Sequence, residues 1–138
     1  MHTHTHIADF QQLVAAAAAQ PQPQQLLFVF TAAELPSDAT EAERRRFEAG
    51  QGGALAPVIC VDKAPADLSD FAALLAESQR AGPPWQVMFA ASLSGRDAHP
   101  PTAAEIETAL NTMVEAVRTG RIGGFAAFGP DGETLNLR

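Results

Sequence analysis

Three short apolar segments, separated by stretches with helical periodicity, constrain the fold of this chain more than any other feature. The segments Leu26–Phe30, Val58–Val61 and Trp85–Leu93 are mostly continuous apolar runs, not alternating ones. Such runs are typical of strands that are covered on both faces. Because helical segments separate them, they predict right-handed crossovers and a mainly parallel sheet.

Four helices are predicted around these strands, and the chain is predicted to end as a β-hairpin. Thr40 and Thr102 each begin a capping box, with a glutamate three residues later. The hairpin is predicted because a Gly-Pro-Asp-Gly turn separates Phe125–Phe128 from Thr134–Leu137. The first three helices are expected at about 7–20, 41–49 and 67–80, and the fourth follows the capping box at Thr102 and ends before Gly120.

The sequence therefore predicts one α/β domain over residues 7–138, after a flexible His/Thr tail at residues 1–6. The expected element order is α-β-α-β-α-β-α-β-β. This order gives a mainly parallel sheet of about five strands with helices on both faces. The C-terminal hairpin is expected to add an antiparallel edge strand.

Charge and cysteine content argue against several classes of function. A net charge of −7 would repel a polyanion, so nucleic acid is not expected as a partner. Glutamates surround the only basic run, Arg44–Arg46, which favours a solvated helix face over an anion site. One cysteine cannot form an intramolecular disulfide or a cysteine-based zinc cluster, and a reducing cytoplasm suits it. No apolar run approaches the length of a membrane span, so no membrane contact is expected.

Three motifs invite a functional interpretation, and each also has a simpler structural one. His2, His4 and His6 could share a metal ion in an extended tail, but we expect a flexible tail, no metal site and no cofactor. The glycine clusters at 50–53 and 120–124 follow helices, whereas phosphate-binding loops follow strands, so we expect turns. Cys60 lies inside an apolar run and is predicted to be buried and inert.

Polar side chains just after the predicted parallel strands form the candidate ligand site, because ligands of open α/β sheets bind at that edge. Ser94, Asp97 and His99 have the residue types of a hydrolase triad but share one short loop without a nucleophile elbow, so no catalytic residue is assigned. The candidate ligand-binding residues are Thr31, Glu34, Asp62, Lys63, Arg96, Asp97 and His99, with Ser92 and Ser94 beside them.

Several motifs resemble a group of short bacterial proteins often labelled "ribonucleotide reductase subunit alpha". They are Leu26–Phe30 with Glu34-Leu-Pro, Arg46–Val58, Cys60–Pro65, Asp70–Leu74 and Arg121–Phe125. The resemblance implies a small cytoplasmic bacterial protein and transfers no functional residues. Reductase activity itself is argued against, because that large subunit is several times longer and needs several cysteines. The closing pattern from Met113 to Leu137 also looks like the end of an enhanced-serine-sensitivity type of domain.

Two functions of different classes are compatible with these features. The first is a non-catalytic binding or regulatory module that acts through a protein partner or as a homodimer, with the edge hairpin or an apolar helix face as the contact. The second is a small-molecule-binding protein or small enzyme that uses the strand-end loops. A cluster of the candidate side chains in one concave pocket would favour the second.

Overall fold

The computed structural model describes residues 9–35, 37–49 and 54–136, which form one four-stranded sheet with helices. The predictions for His2, His4, His6 and the glycine cluster at 50–53 lie outside the described residues. The helices are α1 (Phe10–Ala18), α2 (Glu41–Glu48), α3 (Phe71–Ala81) and α4 (Ala103–Arg118). The strands are β1 (Gln24–Glu34), β2 (Ala54–Lys63), β3 (Val87–Ser94) and β4 (Ala126–Phe128), and a short 3₁₀ helix covers Pro65–Asp67.

The four predicted helices are present, and a polar side chain caps the start of each one. Thr40 and Thr102 form the two predicted capping boxes with Glu43 and Glu105. The side chain of Asp9 caps α1, and that of Asp70 caps α3. Each cap satisfies backbone N–H groups that have no partner inside the helix.

The prediction of a mainly parallel sheet of about five strands is wrong. The sheet has four strands in the order β2-β1-β3-β4, and every neighbouring pair is antiparallel. The direction of β2 differs from the prediction because α2, which connects β1 to β2, does not pack on the sheet. No residue of α2 is buried. A helix that does not pack on the sheet makes no crossover, so β2 returns beside β1 in the opposite direction. The connection through α3 then passes over β1 and delivers β3 to its other side.

Helices cover both faces of the sheet, as predicted, and β1 is the centre of the core. Its residues Leu26 to Thr31 are all buried. Alternate side chains of β1 therefore enter two different apolar layers. Towards α1 and α3 the buried set includes Phe10, Leu13, Leu26, Phe28, Phe30, Leu74, Trp85 and Phe128. Towards α4 it includes Leu27, Val29, Val87, Phe89, Met113, Val117 and Ala127.

The predicted C-terminal hairpin is present only in part, because β4 is the last strand of the described sheet and the predicted edge strand from Thr134 is reduced to an isolated bridge. Phe128 forms an antiparallel bridge with Thr134, and the Leu135 amide donates to the Ala127 carbonyl at 2.8 Å. Gly132 has a φ of 83°, a left-handed conformation that suits glycine. The turn between 128 and 134 therefore follows the sequence prediction.

Candidate functional site

Antiparallel pairing divides the predicted ligand site between the two ends of the sheet. Thr31 and Glu34 lie in the C-terminal part of β1. The C-terminal ends of β2 and β3 lie at the opposite end, because Leu27 pairs with Asp62 and Gln24 pairs with Ser94. The prediction that all seven residues share one edge is therefore wrong. The residues that remain at one end are Asp62, Lys63, Arg96, Asp97 and His99.

Four of the predicted residues lie inside strands, and internal interactions already engage three of them. The Thr31 hydroxyl is fully buried and donates to the Val87 carbonyl at 2.8 Å. The Lys63 ammonium lies 3.0 Å from a carboxylate oxygen of Glu77 on α3. Asp62 accepts a hydrogen bond from the Gln25 side chain at 2.8 Å. Thr31 and Lys63 thus stabilise the fold through contacts within the protein. The Asp62 carboxylate is exposed and can accept further hydrogen bonds.

Arg96 to His99 form a tight turn that follows β3. Arg96 and His99 exchange two backbone hydrogen bonds of 3.0 and 2.9 Å. Both central residues have positive φ, 53° at Asp97 and 65° at Ala98, as in a type I′ turn. Since neither is glycine, the turn is strained. A methyl group on Gly95 would lie 1.9 Å from the His99 carbonyl oxygen, so this position requires glycine.

The turn is attached to α4 by an exposed ion pair between Arg96 and Glu105. The Thr102 backbone amide donates to Glu105, and this bond, followed by the one from Arg96, lowers the pKa of the Glu105 carboxyl. A groove of about 440 Å³ lies between β3 and α4 at this point. It is lined by Leu93, Ser94, Arg96, Ala104, Glu105, Thr108 and Ala109.

The residue types of a hydrolase triad are close together in this turn without forming one. The Ser94 hydroxyl donates to the Gly95 carbonyl at 3.0 Å. The His99 ring contacts the backbone carbonyl of Asp97, at 2.8 Å, and not its carboxylate. A triad needs the base to contact the nucleophile and the acid to orient the base, so this arrangement does not activate Ser94.

The second groove, of about 320 Å³, lies between β2 and α4, and we call it the β2 groove. Cys60 and Asp62 point into it from alternate positions of β2, and α4 supplies a stripe with helical spacing. That stripe consists of Ala103, Ile106, Glu107, Leu110 and Asn111. The groove therefore combines apolar and acidic groups beside the outermost strand of the sheet.

The prediction that Cys60 is buried is wrong, since Cys60 is exposed. The apolar run around it forms an edge strand, not a central one, and one side of β2 has no neighbouring strand in the described sheet. Partial burial still raises the pKa of the Cys60 thiol, which keeps it protonated at neutral pH.

Comparison of the chain with protein-family models, curated proteins and solved structures finds no match. Within the described residues, no group of three or more His, Cys, Asp or Glu side chains is arranged to hold a metal ion. None of the described helices is both long and apolar enough to cross a bilayer.

Sequence reasoning did not identify the β2 groove, although one signal pointed to it. Pro57 lies inside β2, paired with Thr31. Proline cannot donate a hydrogen bond to a second neighbouring strand, so a strand that contains it belongs at the edge of a sheet. The α4 side of the groove carried no signal, because Glu107 and Asn111 are ordinary polar residues on a helix surface.

Proposed function

We propose that this protein is a non-catalytic binding module that acts through protein contacts, and that its contact surface is the open edge of β2 with the β2 groove. One observation carries the proposal. Seven consecutive apolar residues, Leu55–Val61, lie in an edge strand that has no buried residue, whereas Leu26–Thr31 of neighbouring β1 are all buried.

An exposed apolar edge strand is unfavourable unless another chain covers it. Its unpaired N–H and C=O groups are a template for a further strand, and soluble proteins usually protect such edges with charges, proline or bulges. Addition of a strand would pair these groups and cover the exposed Cys60 and the partly exposed Val61. The gain in buried apolar area supports a role in binding another polypeptide.

The contacts of the basic candidate ligand-binding residues support a non-catalytic role. Lys63 is paired with Glu77, and Arg96 is paired with Glu105. The His99 ring contacts a backbone carbonyl. Carboxylates of the scaffold thus hold the two cations, and the histidine ring contacts a scaffold carbonyl, whereas a general base must contact the proton that it removes. We also propose a cytoplasmic location, on the basis of the sequence resemblance and the single cysteine.

Small-molecule binding is the second candidate function, and the groove between β3 and α4 favours it. Its volume, about 440 Å³, lies in the range of ligand pockets, and Arg96 offers a charge at its border. A metabolite that raises the Tm of the wild type but not of Arg96→Gln would support this function. A ligand at 100 times its Kd adds about 2.7 kcal/mol, so such a shift is measurable.

Site-specific photocrosslinking tests the proposed protein contact. A photoreactive amino acid replaces Cys60 in the β2 groove or, as a control, Gln11, which is exposed on α1 at the other face of the sheet. The proposal expects adducts from position 60 in cells that express the protein, with one partner segment identified by mass spectrometry. Equal adduct formation from both positions, or none from position 60, would overturn it.

A further inference from the structure

The backbone of β2 is blocked for strand pairing over one half of the open edge and regular over the other half, which carries the charged residues Asp62 and Lys63. Phe30 pairs with Ile59 and Thr31 pairs with Pro57, so Val58 is an extra residue that forms a bulge. Pro57 lacks an N–H group, and the bulge interrupts the ladder beside it. The regular part of the edge that remains is Ile59–Lys63, which pairs with β1 without interruption.

The α4 side of this regular part carries two different kinds of surface. Cys60, Ile106 and Leu110 give the β2 groove an apolar floor. Asp62 and Glu107 add two carboxylates to its lining, and both residues are exposed. Cys60 and Asp62 are two residues apart on one face of β2, so a strand added beside them would place alternate side chains against the floor and the acidic pair.

We propose that the occupant of the β2 groove is an extended polypeptide segment with an apolar and a basic side chain two positions apart. This inference rests on the proposed function and specifies its partner. The segment pairs with Ile59–Lys63, its apolar side chain contacts Cys60, Ile106 and Leu110, and its lysine or arginine lies beside Asp62 and Glu107. Backbone pairing supplies affinity, and the two side chains supply specificity.

Charge favours such a segment over a second copy of this chain. Two copies would each bring a net charge of −7. If Ile59–Lys63 paired with itself around a two-fold axis at Val61, the partner's Asp62 would lie opposite Cys60. That arrangement adds a third carboxylate to a groove that already contains Asp62 and Glu107. Like charges at such short range destabilise strand pairing.

Fluorescence anisotropy with a defined peptide tests the inference. The probe is a labelled octapeptide of threonines that contains one isoleucine and one lysine two positions apart, and the control probe has glutamate in place of lysine. Asp62→Asn with Glu107→Gln removes both charges, and asparagine can still accept the bond from Gln25. We expect the lysine peptide to bind this variant about three- to tenfold more weakly than the wild type. The matched control Glu115→Gln, on the exposed side of α4, is expected to leave Kd unchanged.

A charge reversal and a hydrogen-exchange measurement complete the test. Asp62→Lys with Glu107→Lys should bind the glutamate peptide better than the lysine peptide. In the wild type, the lysine peptide should slow exchange of amides within Ile59–Lys63 and leave the segment from Ala54 to Val58 unaffected. Equal affinity for both probes, or protection confined to other elements, would overturn the inference. Light scattering would also overturn it if it detected a dimer that the lysine peptide does not dissociate. The occupant of the β2 groove would then be a second copy of this chain. The photocrosslinking result at position 60 would stand in each case, so the two proposals fail separately.

Discussion

Removal of one buried hydroxyl should destabilise the layer between α3 and the sheet. The Trp85 indole N–H donates to the Ser78 hydroxyl at 2.9 Å, and that hydroxyl donates to the Leu75 carbonyl at 2.7 Å. Trp85 is 6% exposed and Ser78 is 1% exposed, so water cannot replace a lost partner. The indole ring also packs against Phe30, with ring centroids 4.9 Å apart, which fixes its orientation.

Ser78→Ala leaves the indole N–H without an acceptor in a dry environment. The cost of a buried unsatisfied donor is about 1–3 kcal/mol, and we expect a loss near 2 kcal/mol. Trp85→Phe removes the donor together with part of the ring. In the Trp85→Phe background, Ser78→Ala should therefore cost at least about 1 kcal/mol less than in the wild type.

Urea unfolding followed by far-UV circular dichroism measures the free energy of unfolding of all four proteins in this cycle. Fluorescence gives a second measurement for the wild type and Ser78→Ala, because Trp85 is the only tryptophan. A Ser78→Ala variant within about 0.5 kcal/mol of the wild type would refute the buried-donor argument. Equal costs in the two backgrounds would refute the assignment of the effect to Trp85.

Three further predictions concern the turn after β3 and its attachment to α4. Ala98→Gly should raise the free energy of unfolding by about 0.5–1 kcal/mol, since glycine adopts the positive φ without strain. The control Ala15→Gly, on the exposed face of α1, should lower it by about the same amount. Urea unfolding midpoints measure both changes. Gly95→Ala should lower it by more than about 2 kcal/mol because its methyl group meets the His99 carbonyl, and a wild-type Tm would contradict this. Glu105 has a lowered pKa in the folded state, so its stabilisation is present above its ordinary value of 4.5 and is lost as pH falls through the lowered pKa. Glu105→Gln should therefore reduce the dependence of the urea midpoint on pH in that acidic range, and an unchanged slope would count against the predicted contribution.

Local signals in the sequence predicted the helices well, because each signal acts within one or two turns. The capping boxes at Thr40 and Thr102 lie where the structure has them. Strand direction is not local, and a continuous apolar run such as Leu26–Phe30 is compatible with a parallel or an antiparallel neighbour. The composition of α2 did contain the missing information. Phe47 is its only large apolar residue, so α2 has no apolar stripe to place on a sheet, and it could not serve as a crossover between parallel strands.

The predicted ligand site was wrong for the same reason, because its grouping depended on strand direction. Its seven residues were grouped by the rule that the ends of parallel strands meet at one edge. With β1 reversed relative to β2 and β3, Thr31 and Glu34 lie at the far end of the sheet. Residues from β2 and β3 stayed together because these two strands run in the same direction on either side of β1. They share one end of the sheet but not one pocket, since Asp62 lines the β2 groove and Arg96 lines the groove between β3 and α4.

The strand β2 lies at the edge of the sheet, where the sequence did not place it, and this edge is the proposed contact surface. The apolar run Val58–Val61 predicts a buried strand that is covered on both faces, yet no residue of β2 is buried and the described sheet supplies a neighbour on one side only. Pro57 and the bulge at Val58 prevent strand addition over one half of this edge, whereas Ile59–Lys63 stays regular and open. The regular half carries charges at Asp62 and Lys63, which disfavour pairing with an unmatched strand, but its backbone can still pair. Protection of one half and an acidic groove beside the other would restrict an incoming strand to one stretch of β2 and select it by charge.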